Sequence, residues 1–372
     1  MQAEPLTLGH VREQPPFIEA ALAAALPRLP DLIARLRAQP PRHIWATGCA
    51  SSLFATMCGA SIVQEFARRP VTVMHASEFA AYAPVDAGDW VLIGSRSGET
   101  GDVIDAIDAI KQAGATLVGI AGDATSTLAT EATFALPFDY GAEIAPATKS
   151  FQIEAVLSML VGLAVARAAG GVSTDRLDAM EAGLLALPGL ASQALAAADA
   201  PVRALAAQCA EATGMFFIGN GPNYALALEG MLKARECAGV HADGIPANEM
   251  RHGYMNAVRG AMPVAFLIGP PGRGHQSVAS IARTLGRLPA TLIALGREGD
   301  WDLRGVADTF VGLPFDVDEF LAPVAYAPAI QLFVLYLGMA RGQNVDHPAE
   351  SEMVGSYREV DGRLVYYIDK FE

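Results

Sequence analysis

Short apolar runs of strand length alternate with helix-length amphipathic stretches along most of the chain. In the first half these runs are HIWATG (43–48), VTVMHA (71–76), DWVLIG (89–94), TLVGIAG (116–122) and FALPFD (134–139). They are apolar and bounded by turn residues or helical patterns, which predicts strands. A second series opens near residue 214 with GMFFIGN and continues through MPVAFLIG, ATLIALG and TFVGLPF. Strands separated by helices predict parallel sheets covered by helices, an α/β doubly wound fold. The two series open alike: HIWATGCASSLFATMCGA and MFFIGNGPNYALALEGML each read as an apolar strand, a small-residue turn and a helix. This weak internal repeat predicts two similar α/β domains. The organisation expected is a helical arm at 1–40, a first domain at 41–195, a second at 196–345 and a C-terminal tail at 346–372. An alanine-rich helical stretch joins the two domains.

The longest apolar segments, FQIEAVLSMLVGLAVARAAG and APAIQLFVLYLGMARG, carry Glu154 in the first and Pro328 and Gln331 in the second. Both read as buried core helices rather than membrane spans. A net charge of −14 without an arginine-rich face argues against nucleic acid and anionic membranes as partners. Any anion site must then be built locally, from amides, hydroxyls and single cations. The N-terminal MQAEPLTLGHVREQPPF lacks the basic start and apolar centre of a signal peptide. Cys49, Cys58, Cys209 and Cys237 show no paired spacing, so reduced thiols in a cytoplasmic protein are expected.

In open α/β sheets ligands bind beyond the carboxyl ends of the strands. Two loops meet that description, GCASS (48–52) and SRSGET (95–100). Helix N-termini offer backbone amides and a positive dipole end, and serine, threonine and arginine side chains add donors for a phosphate. Taken singly, each loop is equally well read as a helix cap, with Ser97 or Thr100 bonding helix amides and Glu99 complementing the dipole. Further along, Glu229, Lys233 and Glu236 share one face of a predicted helix. Such a stripe is either a solvated ion-pair ladder or a carboxylate set against an apolar wall for proton transfer. His43 and His75 fall in predicted strands and read as core or edge residues. His241 is a secondary candidate near the stripe, and His275 lines a glycine-rich loop. No two histidines have metal-ligand spacing, and neither a metal nor another cofactor is expected.

The segments EQP (13–15), GCASS, ASEF (76–79), SRSGET, GAEIAPATKSF (141–151), ALEGMLKARE (227–236) and NEMRHG (248–253) together span nearly the whole chain. With them the sequence resembles the sugar isomerase (SIS) domain proteins, especially the isomerase half of glucosamine-6-phosphate synthase and its stand-alone relatives. The resemblance implies two SIS domains and a sugar phosphate held by Ser52, Ser95, Ser97 and Thr100, with Arg96 beside it. It implies Glu236 as the base that moves a proton between C1 and C2 of the sugar. His252 is then the histidine that assists ring opening, often supplied by a neighbouring subunit, so a homodimer with shared sites is expected. Cys49, Ser51, Glu143, Ala147 and Lys233 are further substrate-site candidates. The family's usual residue at Arg96 is glutamine; a guanidinium there implies a tighter grip on a dianion, or a different anionic group at C6. The synthase's glutaminase domain has no counterpart here and there is no leading cysteine, so glutamine hydrolysis is not expected.

The synthase and true isomerases of this family carry a tail lysine that forms a Schiff base with the keto sugar. Aligning DHP (346–348) with the family's aspartate–proline turn puts Met353 at that position, and the chain's lysines are Lys111, Lys149, Lys233 and Lys370. This departure shifts the expected chemistry toward a deglycase or deaminase, whose 6-phosphorylated fructosamine or amino sugar brings its own nitrogen. The alternatives are a phosphosugar aldose–ketose isomerase working through an enediol and, from another class, a non-catalytic sugar-phosphate-binding regulator. Glu236 and His252 together count against the last.

Overall fold

A computed structural model of the chain describes residues 4–144, 146–258, 264–346, 356–360 and 363–367. Contacts divide the chain into two units, the first made of residues 16–143, 149–185 and 350–372, the second of 1–15, 144–148 and 186–349. Three helices come first: α1 (Leu6–Arg12), α2 (Gln14–Ala25) and α3 (Leu29–Ala38).

The first unit then alternates strand and helix: β1 (Ile44–Gly48), α4 (Ser51–Ile62), β2 (Val71–His75), α5 (Ala76–Tyr82), β3 (Trp90–Ser95), α6 (Gly101–Ala113), β4 (Thr116–Ala121), α7 (Thr127–Glu131) and β5 (Phe134–Pro137). The strands form one parallel sheet in the order β2-β1-β3-β4-β5. Every residue of β1, β3 and β4 is buried, while the edge strands alternate. That is the burial expected of a parallel sheet covered on both faces. Helix α8 (Lys149–Ala169) packs on α4 through small residues. A Cβ at Gly59 would lie 2.3 Å from the Ser158 carbonyl oxygen, so glycine permits this approach. The Ser158 hydroxyl donates to the Ala55 carbonyl across the same contact.

Helix α9 (Thr174–Gln208) carries the chain from the first unit into the second. There follow β6 (Met215–Ile218), α10 (Asn223–Ala238), β7 (Ala242–Ile245), α11 (Met255–Val258), β8 (Val264–Ile268), α12 (His275–Leu285), β9 (Thr291–Arg297), α13 (Trp301–Arg304), β10 (Thr309–Leu313) and α14 (Ala322–Ala340). Their parallel sheet has the order β7-β6-β8-β9-β10, which repeats that of the first. The α/β architecture read from the sequence is thus present twice. Strand β7 is an addition: ADGI is short and contains aspartate and glycine, both depleted in strands. Its Gly244 is required by packing, because a Cβ there would lie 2.8 Å from the Ala227 carbonyl oxygen of α10. The same strand that the pattern hides therefore seats the helix carrying the glutamate stripe.

Helices α8 and α14 are long and apolar enough to cross a membrane, but they are 89% and 94% buried inside their units. They are core helices, as their polar interruptions suggested. The chain's first residues belong to the second unit, where the Leu6 and Thr7 amides donate to the Asp346 carboxylate at 2.9 Å. The tail, to which the sequence assigned no elements, holds an antiparallel pair, β11 (Ser356–Val360) with β12 (Arg363–Tyr367). Met353 and Lys370 lie outside the described residues.

Candidate active site

In the first sheet the chain reverses its winding direction between β1 and β3, whose ends align Gly48 with Gly94. The loops GCASS and SRSGET leave from this switch point, where the fold opens a crevice. The first loop meets the end of β3, where a Cβ at Gly94 would come within 3.2 Å of the Ser52 carbonyl oxygen. Ser51 and Ser52 open α4, and Thr100 is the N-cap residue of α6. The simple capping alternative fails for Thr100, whose hydroxyl makes no cap bond to the helix. Glu99 does not serve α6 either, because its carboxylate turns to the Thr127 amide and hydroxyl at the start of α7. Ser95 and Ser97 shape the turn instead, their hydroxyls accepting from the Gly98 amide at 3.1 Å and the Glu99 amide at 3.2 Å. The Ser97 and Thr100 hydroxyls lie 3.4 Å apart, a spacing that suits two donors on one anion.

Arg96 is half-buried, with Nη1 3.6 Å from Oε2 of Glu143. Glu143, its side chain buried, caps α8: Oε1 accepts from the Lys149 and Ser150 amides and Oε2 from the Ser150 hydroxyl. It is tied to the protein's own backbone, and Arg96 is the neighbour that can still respond to a ligand. Lys149 is itself buried, its Nζ donating to the Ala142 carbonyl at 3.0 Å and lying 4.3 Å from the centre of the Phe17 ring. The Cys49 thiol is held away from its thiolate form. Burial, with the charge of Asp102 4.0 Å from its sulfur, pushes the thiol up to about 12. Ala147 is half-buried on the 144–148 segment of the second unit.

In the second unit α10 carries the glutamate stripe, and the stripe is not a solvated ladder. The Lys233 side chain is 1% exposed, Glu229 0% and Glu236 22%. Lys233 Nζ donates to Glu236 Oε2 at 2.6 Å and lies 3.7 Å from Glu229 Oε1. Burial alone would lower the Lys233 ammonium, but the carboxylates of Glu229 and Glu236 outweigh it and hold it above its ordinary value. Lys233 is therefore a buried cation shared by two carboxylates. One of them, Glu236, reaches partly into solvent, the position of a group that meets a ligand.

His252 ends the short helical turn 247–251, exposed, its amide donating to the Glu249 carbonyl at 2.8 Å. That turn is anchored to α12, Arg251 reaching the Ser280 hydroxyl at 3.0 Å. No hydrogen bond or ion pair joins His252 to Glu236 among the described residues. His43 is structural, as its strand position suggested, bonding the Thr72 hydroxyl at 2.9 Å and meeting the Trp45 ring. His275 pairs with Asp300 at 2.6 Å. Gln331 was legible only as a polar interruption in an apolar helix, yet its amide lies 3.5 Å from Glu229. Among the described residues no cluster of histidine, cysteine or carboxylate side chains could hold a metal ion.

The SIS domain profile matches residues 39–166 and 209–333. The chain is 33% identical over 316 residues to the glutamine–fructose-6-phosphate aminotransferase (isomerizing) of Gluconobacter oxydans, covering 84% of this chain and 51% of that protein. It is 32% identical over 317 residues to the protein of the same description from a Synechocystis species, covering 82% of this chain and 50% of that one. It spans about half the length of these curated relatives. Its fold is similar to the C-terminal domain of glucosamine-fructose-6-phosphate aminotransferase from Francisella tularensis, with TM-score 0.84 and 22% identity over 93% of this chain and 99% of that one. It is also similar to glucosamine-6-phosphate deaminase from Thermotoga maritima, with TM-score 0.73 and 21% identity over 92% and 97% of the two chains. The tagatose-6-phosphate ketose/aldose isomerase of Escherichia coli follows, with TM-score 0.68 and 16% identity over 91% and 94%. With one matched segment on each of its two parallel sheets, the chain belongs to the SIS domain family.

Proposed function

We propose that this protein is a phosphosugar enzyme of the isomerase type whose substrate already carries nitrogen, a fructosamine 6-phosphate or an amino sugar 6-phosphate. The phosphosugar part is supported by the relatives, which are named for fructose-6-phosphate, glucosamine-6-phosphate and tagatose-6-phosphate. The observation that carries the nitrogen part is the state of the lysines. Lys233 is a buried ammonium bound to carboxylates, Lys149 is buried against a carbonyl, and Lys111 is paired with Glu131 at 2.6 Å. The two carboxylates hold Lys233 as an ammonium, which is no nucleophile, while Lys149 and Lys111 are engaged by the Ala142 carbonyl and Glu131, so none of these three is set to form an imine with a keto sugar.

In this reading Ser52, Ser95, Ser97 and Thr100, with Arg96, hold the 6-phosphate at the switch point of the first sheet. His252 moves a proton between the ring oxygen and the anomeric hydroxyl, opening the ring to the carbonyl form. Glu236 then takes a proton from one of C1 and C2 and returns it to the other, through an enolamine. The result is a carbon–nitrogen double bond that water adds to; the carbon–nitrogen bond breaks, and the amine leaves with a proton while a carbonyl remains. Lys233 keeps Glu236 oriented for the transfer. A plain aldose–ketose isomerase would use the same Glu236 without amine release.

A panel of 6-phosphosugars, fructosamine 6-phosphates and glucosamine 6-phosphate, assayed for released amine or ammonia, decides between the two. Amine release, with no borohydride-trapped adduct from fructose 6-phosphate, is the expected result. A reduced sugar mapped by peptide analysis to Lys233 or Lys370 overturns the proposal in favour of an imine-forming isomerase.

A further inference from the structure

We infer that Gln331 and Gln14 are positioning residues, a buried amide relay that fixes Glu229 and through it the orientation of Lys233 toward Glu236; this rests on the catalytic reading of Glu236 given above. Gln331 lies in the middle of α14, fully buried in a helix that is otherwise almost wholly apolar. An amide there lowers stability unless its donors and acceptor are met, so a leucine would serve packing better. Every polar atom of Gln331 has a partner. Its Oε1 accepts from Gln14 Nε2, and its Nε2 faces both the Thr148 carbonyl at 3.4 Å and Glu229 Oε1 at 3.5 Å.

The polarity of this chain is fixed by its ends. Exchanging the oxygen and nitrogen of Gln331 would set its carbonyl against a carboxylate and a carbonyl, and its NH₂ against that of Gln14. Gln14, two contacts away from Glu229, offers the donor that the Gln331 carbonyl needs when its NH₂ faces Glu229 and Thr148, and so supports that polarity. A fully buried carboxylate keeps its charge only when donors surround it. Glu229 has Gln331 on one side and Lys233 on the other, and its charge helps to hold the Lys233 ammonium against the penalty of burial. The groups whose charges act on Lys233 are Glu229, Glu236 and Cys237, all on α10. Weakening Glu229 loosens the cation that hydrogen-bonds the proposed base.

The test separates polarity from packing. Gln14→Glu is isosteric and, once ionised, replaces the donor with an acceptor, so that Gln331 turns its NH₂ away from Glu229; the neutral acid would still donate, so the spectrum is followed to a pH at which the carboxyl carbon shift shows the new side chain ionised. Gln14→Met removes the donor without adding an acceptor. The chain has only the lysines Lys111, Lys149, Lys233 and Lys370, so a lysine ammonium nitrogen–proton spectrum resolves Lys233, assigned by its loss in Lys233→Arg. In Gln14→Glu and in Gln331→Met the Lys233 signal should vanish at a pH lower by about one unit or more. Their kcat should fall about tenfold or more with KM little changed, while Gln14→Met, which takes a donor from the Gln331 carbonyl without reversing the relay, should lose clearly less of its kcat and of its Lys233 signal. Should Gln331→Met fail to fold, Gln14→Glu decides alone. A folded Gln14→Glu with an unchanged Lys233 signal overturns the relay, as does a Gln14→Met that loses as much as Gln14→Glu. The spectrum needs no substrate, so a wild type that turns over no phosphosugar refutes the catalytic reading and leaves the relay to be judged by Lys233.

Discussion

The two sheets share one strand order and diverge at the corresponding positions. At the switch point of the first, between β1 and β3, the loops present the hydroxyls of Ser51, Ser52, Ser95, Ser97 and Thr100. At that of the second, between β6 and β8, Asn220 fills the place: it accepts from the Ala247 amide at 2.8 Å and donates to the Gly274 carbonyl at 3.1 Å. The helix after the first strand diverges in the opposite sense. Helix α4 is nearly uniform in small and apolar residues and serves packing, whereas its counterpart α10 buries Glu229 and Lys233 and presents Glu236. A duplicated topology thus fixes where loops and helices stand, and leaves each copy to carry different chemistry there. In the function proposed here the first copy holds the phosphate and the second moves the proton.

That division predicts its largest effect at Glu236. Glu236→Gln keeps the shape and removes the base, so kcat should fall about 10²–10⁴-fold with affinity nearly intact. Isothermal titration alongside the amine-release assay reads both quantities, and an equal loss of binding would move Glu236 from proton transfer to substrate holding. If the sites are shared between subunits as the resemblance implies, Glu236→Ala and His252→Ala proteins regain part of the activity on subunit exchange. Exchange without recovery would put both residues in one chain's site.

The next effect sharpens the contrast between the two switch points. Gly98, at φ +68°, faces Ser126, and a Cβ there would lie 2.2 Å from the Ser126 hydroxyl oxygen. Gly221, after β6, has φ +55° and open space around it. Alanine at Gly221 meets only the left-handed backbone penalty, about 1–2 kcal/mol. Alanine at Gly98 adds overpacking, for a total of about 2–4 kcal/mol, and displaces the turn that carries Ser97 and Thr100. Urea denaturation compares the two; equal losses would show that the first switch point is no more tightly built than the second.

Ser97→Ala follows. It removes a charge-assisted hydrogen bond of about 1.5–3 kcal/mol, so affinity for a 6-phosphosugar should drop roughly ten- to hundredfold. The dephosphorylated sugar should bind as weakly to the variant as to the wild type. Parallel loss for both ligands would mark a damaged turn, since Ser97 also receives the Glu99 amide.

How much of this was legible depends on the range of the interaction. Strands buried on both faces announce themselves as unbroken apolar runs, and β1, β3, β4, β6 and β8 lie in the runs picked out from the sequence. Strand β7 escaped because Asp243 and Gly244 answer to the close approach of α10, which local propensity does not register. The hydroxyl loops were legible as chemistry, but their competing role as caps was decided by Glu99, whose partner Thr127 is remote in sequence. The spacing of Glu229, Lys233 and Glu236 showed one helix face, not whether water reached it. That depends on α14, and the relay through Gln331 to Gln14 joins segments from opposite ends of the chain.

The smallest expected effect concerns Ala50, and it tests whether the first switch point is strained where the second is relaxed. Ala50 stands before α4 with φ 50° and ψ −126°, a region that favours glycine, while Pro222 in the corresponding place before α10 has an ordinary helical φ −56° and ψ −31°. Arg68, the other described non-glycine residue at positive φ, lies in the common left-handed basin at φ 54° and ψ 36°. Holding Ala50 where it is stores about 1–3 kcal/mol, and strain of this kind persists where the surroundings over-determine a loop. Here the surroundings are the close approaches of Gly48 and Gly94 to Ser52. Ala50→Gly relieves the strain but adds unfolded-chain entropy of about 0.5–1 kcal/mol, so the variant should be as stable as the wild type or up to about 2 kcal/mol more so. Phosphosugar affinity should change little, because glycine adopts the same backbone without the Cβ conflict. A destabilised variant would mean that Ala50 is at ease, and that the two switch points differ in their side chains alone.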